Sequence, residues 1–320
     1  MKLIIQIPCY NEEKTLPITL RDLPKRIDGV DEIEILVIDD GSTDKTSLVA
    51  RELGVHHIVR LTQNQGLARA FKVGLDACLR LGADVIINTD GDNQYRGADI
   101  AKLVRPILEG EADIVVGARP IKDISHFSPL KKALQKAGSY MVSRLAGIEM
   151  PDVTSGFRAF SRDAALRLNV ISSFTYTIET IIQAGKKNIP ITWVPIRTNA
   201  PLRPSRLFRG IPDYLRRAVP SMLRIYGIYE PLKTFLILGL LLFIAGSAIG
   251  VRFLYFYFTG RGGGHIQSLI LAAVLVLMGF QTGVMGLVAD LIGANRRLIE
   301  DLLYYLRRGD TARRRIGGEG

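Results

Sequence analysis

With 320 residues, 48% of them hydrophobic, the chain has room for one full-sized domain plus a smaller part, and its apolar share is high for a protein lying wholly in water. Two cysteines and four histidines exclude a disulfide framework and a zinc cluster. The net charge of +11 is uneven: after residue 200 there are 16 Lys and Arg against 7 Asp and Glu, whereas the first 200 residues hold 26 and 24.

Met1-Lys2 opens directly into Leu3-Ile4-Ile5-Gln6-Ile7, too short an apolar run before Pro8 for the core of a cleavable signal, so no such signal is expected. The run reads as a strand over 3–9. Further short apolar runs predict strands over 33–39, 57–61, 85–89 and 114–117, and amphipathic segments between them predict helices over 13–26, 43–53, 67–81 and 98–108. Such alternation predicts an α/β domain with a mostly parallel sheet covered on both faces, whose ligands bind at the carboxyl ends of the strands.

Polar clusters stand at those ends: Asn11-Glu12 after the first strand, Asp39-Asp40-Gly41-Ser42-Thr43-Asp44 after the second, and Asp90-Gly91-Asp92 after the fourth. In extended chain, residues two apart point the same way, so Asp90 and Asp92 can converge on one cation, and Gly91 lets the backbone turn and approach closely. Two hard oxygen ligands suit Mg²⁺ or Mn²⁺ shared with the phosphates of a nucleotide. A lone Asp-x-Asp is more simply a solvated turn; three acidic strand ends on one rim are not explained that way.

Beyond residue 128 the pattern predicts a helix, then the segment Asp152-Val153-Thr154-Ser155-Gly156-Phe157-Arg158, a helix over 177–187 and a strand over 191–196. No linker composition interrupts it, so one domain is expected over 1–202. Residues 203–230 mix Arg with Leu, Phe, Ile and Tyr, which suits amphipathic helices in a membrane interface, although an ordinary surface helix has the same composition. Two apolar stretches, about 232–256 and 266–289, are each long enough to cross a bilayer. The aromatic cluster Phe253, Tyr255, Phe256, Tyr257 and Phe258 suits an interfacial belt with Arg252 beside it.

Residues 291–320 form a basic tail, with a short helix expected over 298–305. Basic residues flank the pair of spans on the sides away from the Gly-rich loop at 259–265. The positive-inside rule therefore predicts a multi-pass membrane protein with the 1–202 domain and both termini in the cytoplasm. Basic segments beside spans attract anionic lipid. Charge alone would also suit nucleic acid, but no reader motif accompanies it, so no nucleic-acid partner is expected. Gly246 with Gly250, and Gly279 with Gly283, have the spacing of close helix contacts, which allows packing within the hairpin or a homo-oligomer.

The ordered set Ile7-Pro8-Cys9-Tyr10-Asn11-Glu12-Glu13, Val37-Ile38-Asp39-Asp40-Gly41-Ser42-Thr43-Asp44, Asn64-Gln65-Gly66-Leu67, Asp90-Gly91-Asp92-Asn93-Gln94, Gly117-Ala118-Arg119 and Ser155-Gly156-Phe157-Arg158 resembles glycosyltransferase family 2. Within that family it is similar to the dolichyl-phosphate mannose synthase and polyprenyl-phosphate glycosyltransferase branch. The resemblance implies a GT-A fold, a divalent cation and inverting transfer of a sugar, mannose or glucose, from GDP-mannose or UDP-glucose to a polyprenyl or dolichyl phosphate. By position it implies that Pro8, Tyr10, Glu12, Asp39, Asp40, Gly66 and Asp90 hold the nucleotide-sugar, and that Asp90, Asp92 and Gln94 hold the metal. Asp92, Arg119 and Arg158 would take part in the reaction. Arg119, Lys131, Lys132, Arg158, Arg203 and Arg206 would meet the lipid phosphate, for which guanidinium groups suit by donating paired hydrogen bonds. A phosphate monoester, with a second pKa of about 6, is largely ionised at neutral pH and needs no protein base; Glu179 is the base candidate if one is needed, with a structural role the simpler assignment.

Two alternatives compete with lipid-phosphate transfer. A processive polysaccharide synthase of the same family would carry a Gln-x-x-Arg-Trp signature, and the one tryptophan, Trp193, lacks that context. A membrane-anchored nucleotide-sugar-binding scaffold without turnover would have no need of the acidic rim.

Overall fold

The computed structural model describes residues 1–120, 129–171, 176–200, 202, 227, 229–260 and 266–317. They divide into two compact units, Met1–Ile211 with Leu303–Gly320, and Pro212–Leu302.

The first unit is built on a seven-stranded sheet: β1 (Lys2–Cys9), β2 (Glu32–Asp39), β3 (His57–Arg60), β4 (Val85–Asn88), β5 (Ile114–Ala118), β6 (Arg158–Ser161) and β7 (Ile191–Pro195). Their spatial order is β3-β2-β1-β4-β6-β5-β7. All neighbours are parallel except β6, which runs antiparallel to both β4 and β5. The central strands are largely apolar, with Leu3, Ile4, Ile5 and Ile7 all fully buried, because helices cover both faces; Gln6 and Asn88 are the buried polar exceptions in β1 and β4. Those helices are α1 (Leu16–Asp22), α2 (Thr46–Glu52), α3 (Leu67–Arg80), α4 (Ile100–Leu108), α5 (Pro129–Ala146), α6 (Arg162–Arg167) and α7 (Tyr176–Lys186). One core, around Phe71, Leu75 and Phe160, lies on one face; a second, around Leu16, Leu103 and Phe157, lies on the other.

The expected α/β architecture with a mostly parallel sheet is present, and two details differ. Residues 158–161 form β6, a strand the apolar pattern does not announce, since it opens on an arginine. It lies between β4 and β5, where a βαβ reading would have set those two side by side. The helix over 13–26 is shorter, because Glu12–Thr15 are used in the turn that closes the first loop, with Leu16 N donating to Glu12 O at 2.9 Å.

The second unit contains α8 (Pro231–Phe258), and the helix α9 (Ile266–Gly317) begins in it. Both are long and apolar enough to cross a membrane, with mean hydropathy of 2.4 and 2.1 in their most apolar windows. The short separate helix expected over 298–305 is instead a continuation of α9, since neither proline nor a turn interrupts the chain after residue 266. Within this unit the two helices meet through glycines. A Cβ on Gly279 would lie 2.7 Å from Gly239 O, and one on Gly246 would lie 2.9 Å from Ala272 O. A Cβ on Gly250 or Gly283 would meet nothing closer than 3.9 and 3.8 Å, so only Gly246 and Gly279 of the expected pairs require the absence of a side chain. Residues 203–226, expected as interfacial helices, and the loop 261–265 lie outside the described residues.

Candidate active site

The carboxyl ends of β1, β2 and β4 form one rim, and the loops that leave them are tied together by side chains. Asn11 takes a left-handed turn (φ 55°); its amide donates to Ser42 Oγ at 2.9 Å, and its Oδ1 accepts from Thr43 N at 2.8 Å. Glu12 N donates to Thr46 Oγ1 at 2.8 Å. Asp40 accepts from Gln65 N at 2.8 Å and Gly66 N at 2.9 Å, fixing the start of α3, where Gly66 has φ 90°. Asp39, fully buried, accepts from Ser42 N at 2.8 Å and from the Ser47 hydroxyl. The carboxylates of Asp39 and Asp40 are therefore engaged in shaping the rim. Burial raises the pKa of Asp40 above the ordinary carboxylate value, although the Gln65 and Gly66 amides favour its charged form.

Asp90-Gly91-Asp92 folds across the end of β1. A Cβ on Gly91 would lie 2.9 Å from Cys9 Sγ, 3.4 Å from Glu12 Cγ and 3.6 Å from Pro8 O, so only glycine lets the acidic loop sit this close. Pro8, Glu12 and the two acids are thereby gathered into one place, with Tyr10 on the exposed edge at 38% accessibility. Thr19 Oγ1 pins the loop by donating to Gly91 O at 3.1 Å. Gln94 N donates to Asp92 Oδ1 at 3.3 Å. Asn93 takes a left-handed conformation (φ 56°), and its Oδ1 is buried with no hydrogen-bond partner. The chain after β7 closes over this loop: Asn199 N donates to Gln94 O at 2.9 Å, and Asn199 Nδ2 to Asn93 O at 3.0 Å.

All these donor atoms are hard oxygens, of the kind that suits Mg²⁺ or Mn²⁺. Among the described residues no three His, Cys, Asp or Glu side chains cluster as a metal site. The oxygens this loop offers are thus the carboxylates of Asp90 and Asp92 and the side-chain amide oxygens of Asn93 and Gln94. Asn93 was not legible among them, because an unpaired amide oxygen is a property of the folded loop.

The Ser155–Arg158 segment runs directly beneath Asp90. A Cβ on Gly156 would lie 3.3 and 3.5 Å from the two Asp90 oxygens and 2.8 Å from Tyr176 Oη. Gly156 O accepts from Asn88 Nδ2 at 2.8 Å, and Gly156 N donates to Tyr95 Oη at 3.1 Å. Asn88 is held from the other side by Gln6 Nε2, which donates to its Oδ1 at 2.9 Å. Tyr176 stacks on Phe71 at 3.8 Å and Tyr95 on Phe157 at 4.9 Å. Burial pushes the Tyr95 phenol up to about 12 and that of Tyr176 well above its usual value, so both stay neutral and act as hydrogen-bond fixtures. Gln6, Asn88, Tyr95 and Tyr176 thus form a buried polar layer under the acids. Nothing in their local sequence marks them, since a lone Gln or Asn in an apolar strand has no fixed meaning.

The expected acceptor cations separate. Arg119, at the end of β5, is brought to the site. It donates from Nε to Asp152 Oδ2 at 2.7 Å, and from Nη2 to Asp152 Oδ1 at 3.1 Å and Thr154 Oγ1 at 2.7 Å. Burial opposes its charge, but the bonded Asp152 carboxylate and the nearby Asp90 outweigh that and raise its pKa.

Arg158 does not face an acceptor. It is fully buried and donates to Ser155 O at 2.8 Å, Thr177 O at 2.8 Å, Val153 O at 2.9 Å and Thr180 Oγ1. Burial draws its pKa down to about 10, still cationic at neutral pH. Its expected contact with a lipid phosphate is corrected to a positioning role: it holds the 153–156 loop in place by donating to Val153 O and Ser155 O, and ties that loop to α7 through Thr177 O. Glu179, the conditional base candidate, is likewise buried and accepts from Ile171 N at 3.1 Å. Lys131 and Lys132 lie on α5 with side chains outside the described residues, as do Arg203 and Arg206.

Comparison with known proteins shows relatives across this region. The family described as "Glycosyl transferase family 2" matches residues 4–168, which contain the whole acidic rim. A UDP-N-acetylglucosamine–dolichyl-phosphate N-acetylglucosaminyltransferase of Methanococcus voltae is 32% identical over 60% of this chain and 83% of its own. An undecaprenyl-phosphate mannosyltransferase of Micrococcus luteus is 31% identical over 61% and 84%. Glucosyl-3-phosphoglycerate synthase of Mycobacterium tuberculosis, solved with Mn²⁺, UDP-glucose and phosphoglyceric acid, shares the fold with a TM-score of 0.56 and 22% identity, over 71% of this chain and 80% of that one. With a GT-A sheet, an Asp-Gly-Asp loop laid across its rim and relatives that act on polyprenyl phosphates, the chain belongs to glycosyl transferase family 2 and resembles its polyprenyl-phosphate branch.

Proposed function

We propose that the protein transfers a hexose, mannose or glucose, from a nucleotide-sugar to a polyprenyl or dolichyl phosphate, and that it does so at the cytoplasmic face of a membrane spanned by α8 and α9. The observation that carries this reading is the packing of Gly91 on the end of β1, which gathers Asp90, Asp92, Glu12 and Pro8 at one strand-end rim in a chain that also has two helices of bilayer-spanning length. The relatives named for dolichyl- and undecaprenyl-phosphate transfer support the acceptor class.

In this reading Tyr10, Pro8 and Glu12 bind the nucleoside, with the exposed Tyr10 ring lying against the base. Asp39 and Asp40 position the loops, and Gly66 leaves the start of α3 open to the nucleotide. Asp90, Asp92 and Gln94, with the orphaned Asn93 Oδ1 beside them, would hold Mg²⁺ or Mn²⁺, which when bound offsets charge on the departing diphosphate. The solved Mycobacterium tuberculosis enzymes, crystallised with Mn²⁺ or Mg²⁺, support use of a divalent cation. Arg119, kept charged and aimed by Asp152, attracts the acceptor phosphate; Lys131, Lys132, Arg203 and Arg206 are proposed as further phosphate contacts. Inversion follows from direct attack of the phosphate oxygen on the anomeric carbon: the new C–O bond forms as the bond to the nucleoside diphosphate breaks.

The test is incubation of membranes containing the protein with labelled GDP-mannose or UDP-glucose and polyprenyl phosphate. An organic-extractable, acid-labile sugar that disappears in the Asp90→Asn, Asp92→Asn double variant is expected. A large polymer, or binding without product, would overturn the proposal.

A further inference from the structure

The part of α9 beyond the predicted span carries an exposed apolar strip. In the second unit its Arg296 donates to Tyr229 Oη at 2.9 Å and to Glu300 Oε1 at 2.8 Å, and Glu300 is 8% exposed. In the first unit Tyr304 donates to Asp163 Oδ1 at 2.8 Å and Arg307 to Leu168 O at 3.1 Å. These four side chains are engaged within their own units, whereas Arg297, Asp301 and Arg308 are exposed along one edge of the helix. The apolar ones face outward: Leu291, Ile292, Leu298, Ile299, Leu302 and Tyr305 are each between 58% and 68% exposed.

Their spacing is a heptad. Ile292 and Ile299 are seven apart, as are Leu291, Leu298 and Tyr305, and Asn295 and Leu302 fall three residues after the first series. This is the three-in-seven apolar face of a helix that packs in a bundle, and Met285 and Val284 continue both series backwards. A span of about 20 residues satisfies a bilayer, and the 24 residues from Ile266 to Ala289 already do so. The exposed heptads lie beyond that length on the same uninterrupted helix, so lipid does not account for them. Contiguous exposed apolar surface outside a membrane marks an interaction site.

We propose that this face of α9 is covered by the same face of a second copy of the chain, forming a parallel, symmetric helix bundle just outside the membrane. The proposal rests on the reading that the first half of α9 crosses a bilayer. Copies inserted in one membrane share an orientation, so symmetric association sets each heptad beside itself in register. Asn295 favours a second copy over a purely apolar partner. It is exposed in the middle of the apolar face, and in register it meets its own amide, which both donates and accepts. The area suits this too: the six large side chains together expose on the order of 800 Å², about what one partner contributes to a standard interface.

Cysteine cross-linking of the full chain in native membranes tests this. The two native cysteines are buried, so the parent serves as the blank. Ile299→Cys and Leu302→Cys are expected to give cross-linked dimer at least tenfold above Arg297→Cys, which lies off the apolar face. Native mass measurement in nanodiscs should show more than one chain for the parent and one chain for the Ile299→Glu, Leu302→Glu variant, with sugar transfer retained. Equal cross-linking at 297, 299 and 302, or a single chain per nanodisc for the parent, would overturn the proposal. So would quenching of a label at residue 298 by bilayer-core lipids as strong as that at residue 285. Carbonate extraction separates the two readings: release of the chain into the soluble fraction refutes membrane insertion, whereas retention without cross-linking refutes self-association alone.

Discussion

Adding a single methyl group at Gly156 should disable the site from below. The new Cβ would stand 2.8 Å from Tyr176 Oη and 3.3 Å from Asp90 Oδ1. Tyr176 cannot yield, since it is fully buried, stacked on Phe71 and bonded through its hydroxyl to Asn88 at 2.9 Å. The strain of overpacking, about 1–3 kcal/mol, therefore falls on Asp90 or on the 155–158 loop. If about 2 kcal/mol is expressed at the reacting centre, kcat/KM for sugar transfer falls roughly 30-fold. Tyr176→Phe removes the nearest obstructing atom and by itself costs about 1 kcal/mol in lost hydrogen bonding. The Gly156→Ala, Tyr176→Phe pair should thus retain more activity than the product of the two single losses, with a coupling of about 1 kcal/mol. Initial rates on labelled donor, with thermal unfolding of each variant alongside, supply the cycle. Full activity in Gly156→Ala, or strict additivity with Tyr176→Phe, would refute the claim that this glycine exists to let Asp90 and the loop approach.

Other outcomes follow from the same geometry. Chelation with EDTA should abolish transfer, and Mn²⁺ or Mg²⁺ should restore it in the parent but not in Asp92→Asn, as read by product formation after dialysis. Arg158→Met takes the guanidinium donor from Val153 O and Ser155 O and should destabilise the protein by about 2 kcal/mol or more, seen as a lower unfolding midpoint with or without donor; an unchanged midpoint would contradict the positioning role. Asp152 has its pKa held below the ordinary 3.8: burial works against its charge, but Arg119 more than compensates. Such a lowered carboxylate contributes stability that is present above pH 3.8 and lost as pH falls through its lower folded value. The gap in stability between the parent and Asp152→Asn should therefore hold from neutral pH down to about 4 and close only in stronger acid, as followed by denaturant midpoints across pH.

The α/β alternation, the acidic strand ends and the two apolar helices are legible in the amino-acid sequence, because each is a local pattern. A buried parallel strand must be mostly apolar, a rim residue must follow it directly, and a bilayer-spanning helix must be long and largely uncharged. Which charges are buried and which stand at the rim is settled by contacts between distant segments. Arg119 and Arg158 look alike in the sequence, yet one stands at the site beside Asp152 while the other is fully buried among carbonyls of residues 153–177. The polar layer of Gln6, Asn88, Tyr95 and Tyr176 joins residues up to 88 positions apart, so no local window contains it. The antiparallel β6 arises in the same way. Its residues are specified by β4 and β5 on either side, and a strand chosen by its neighbours leaves only a faint pattern of its own.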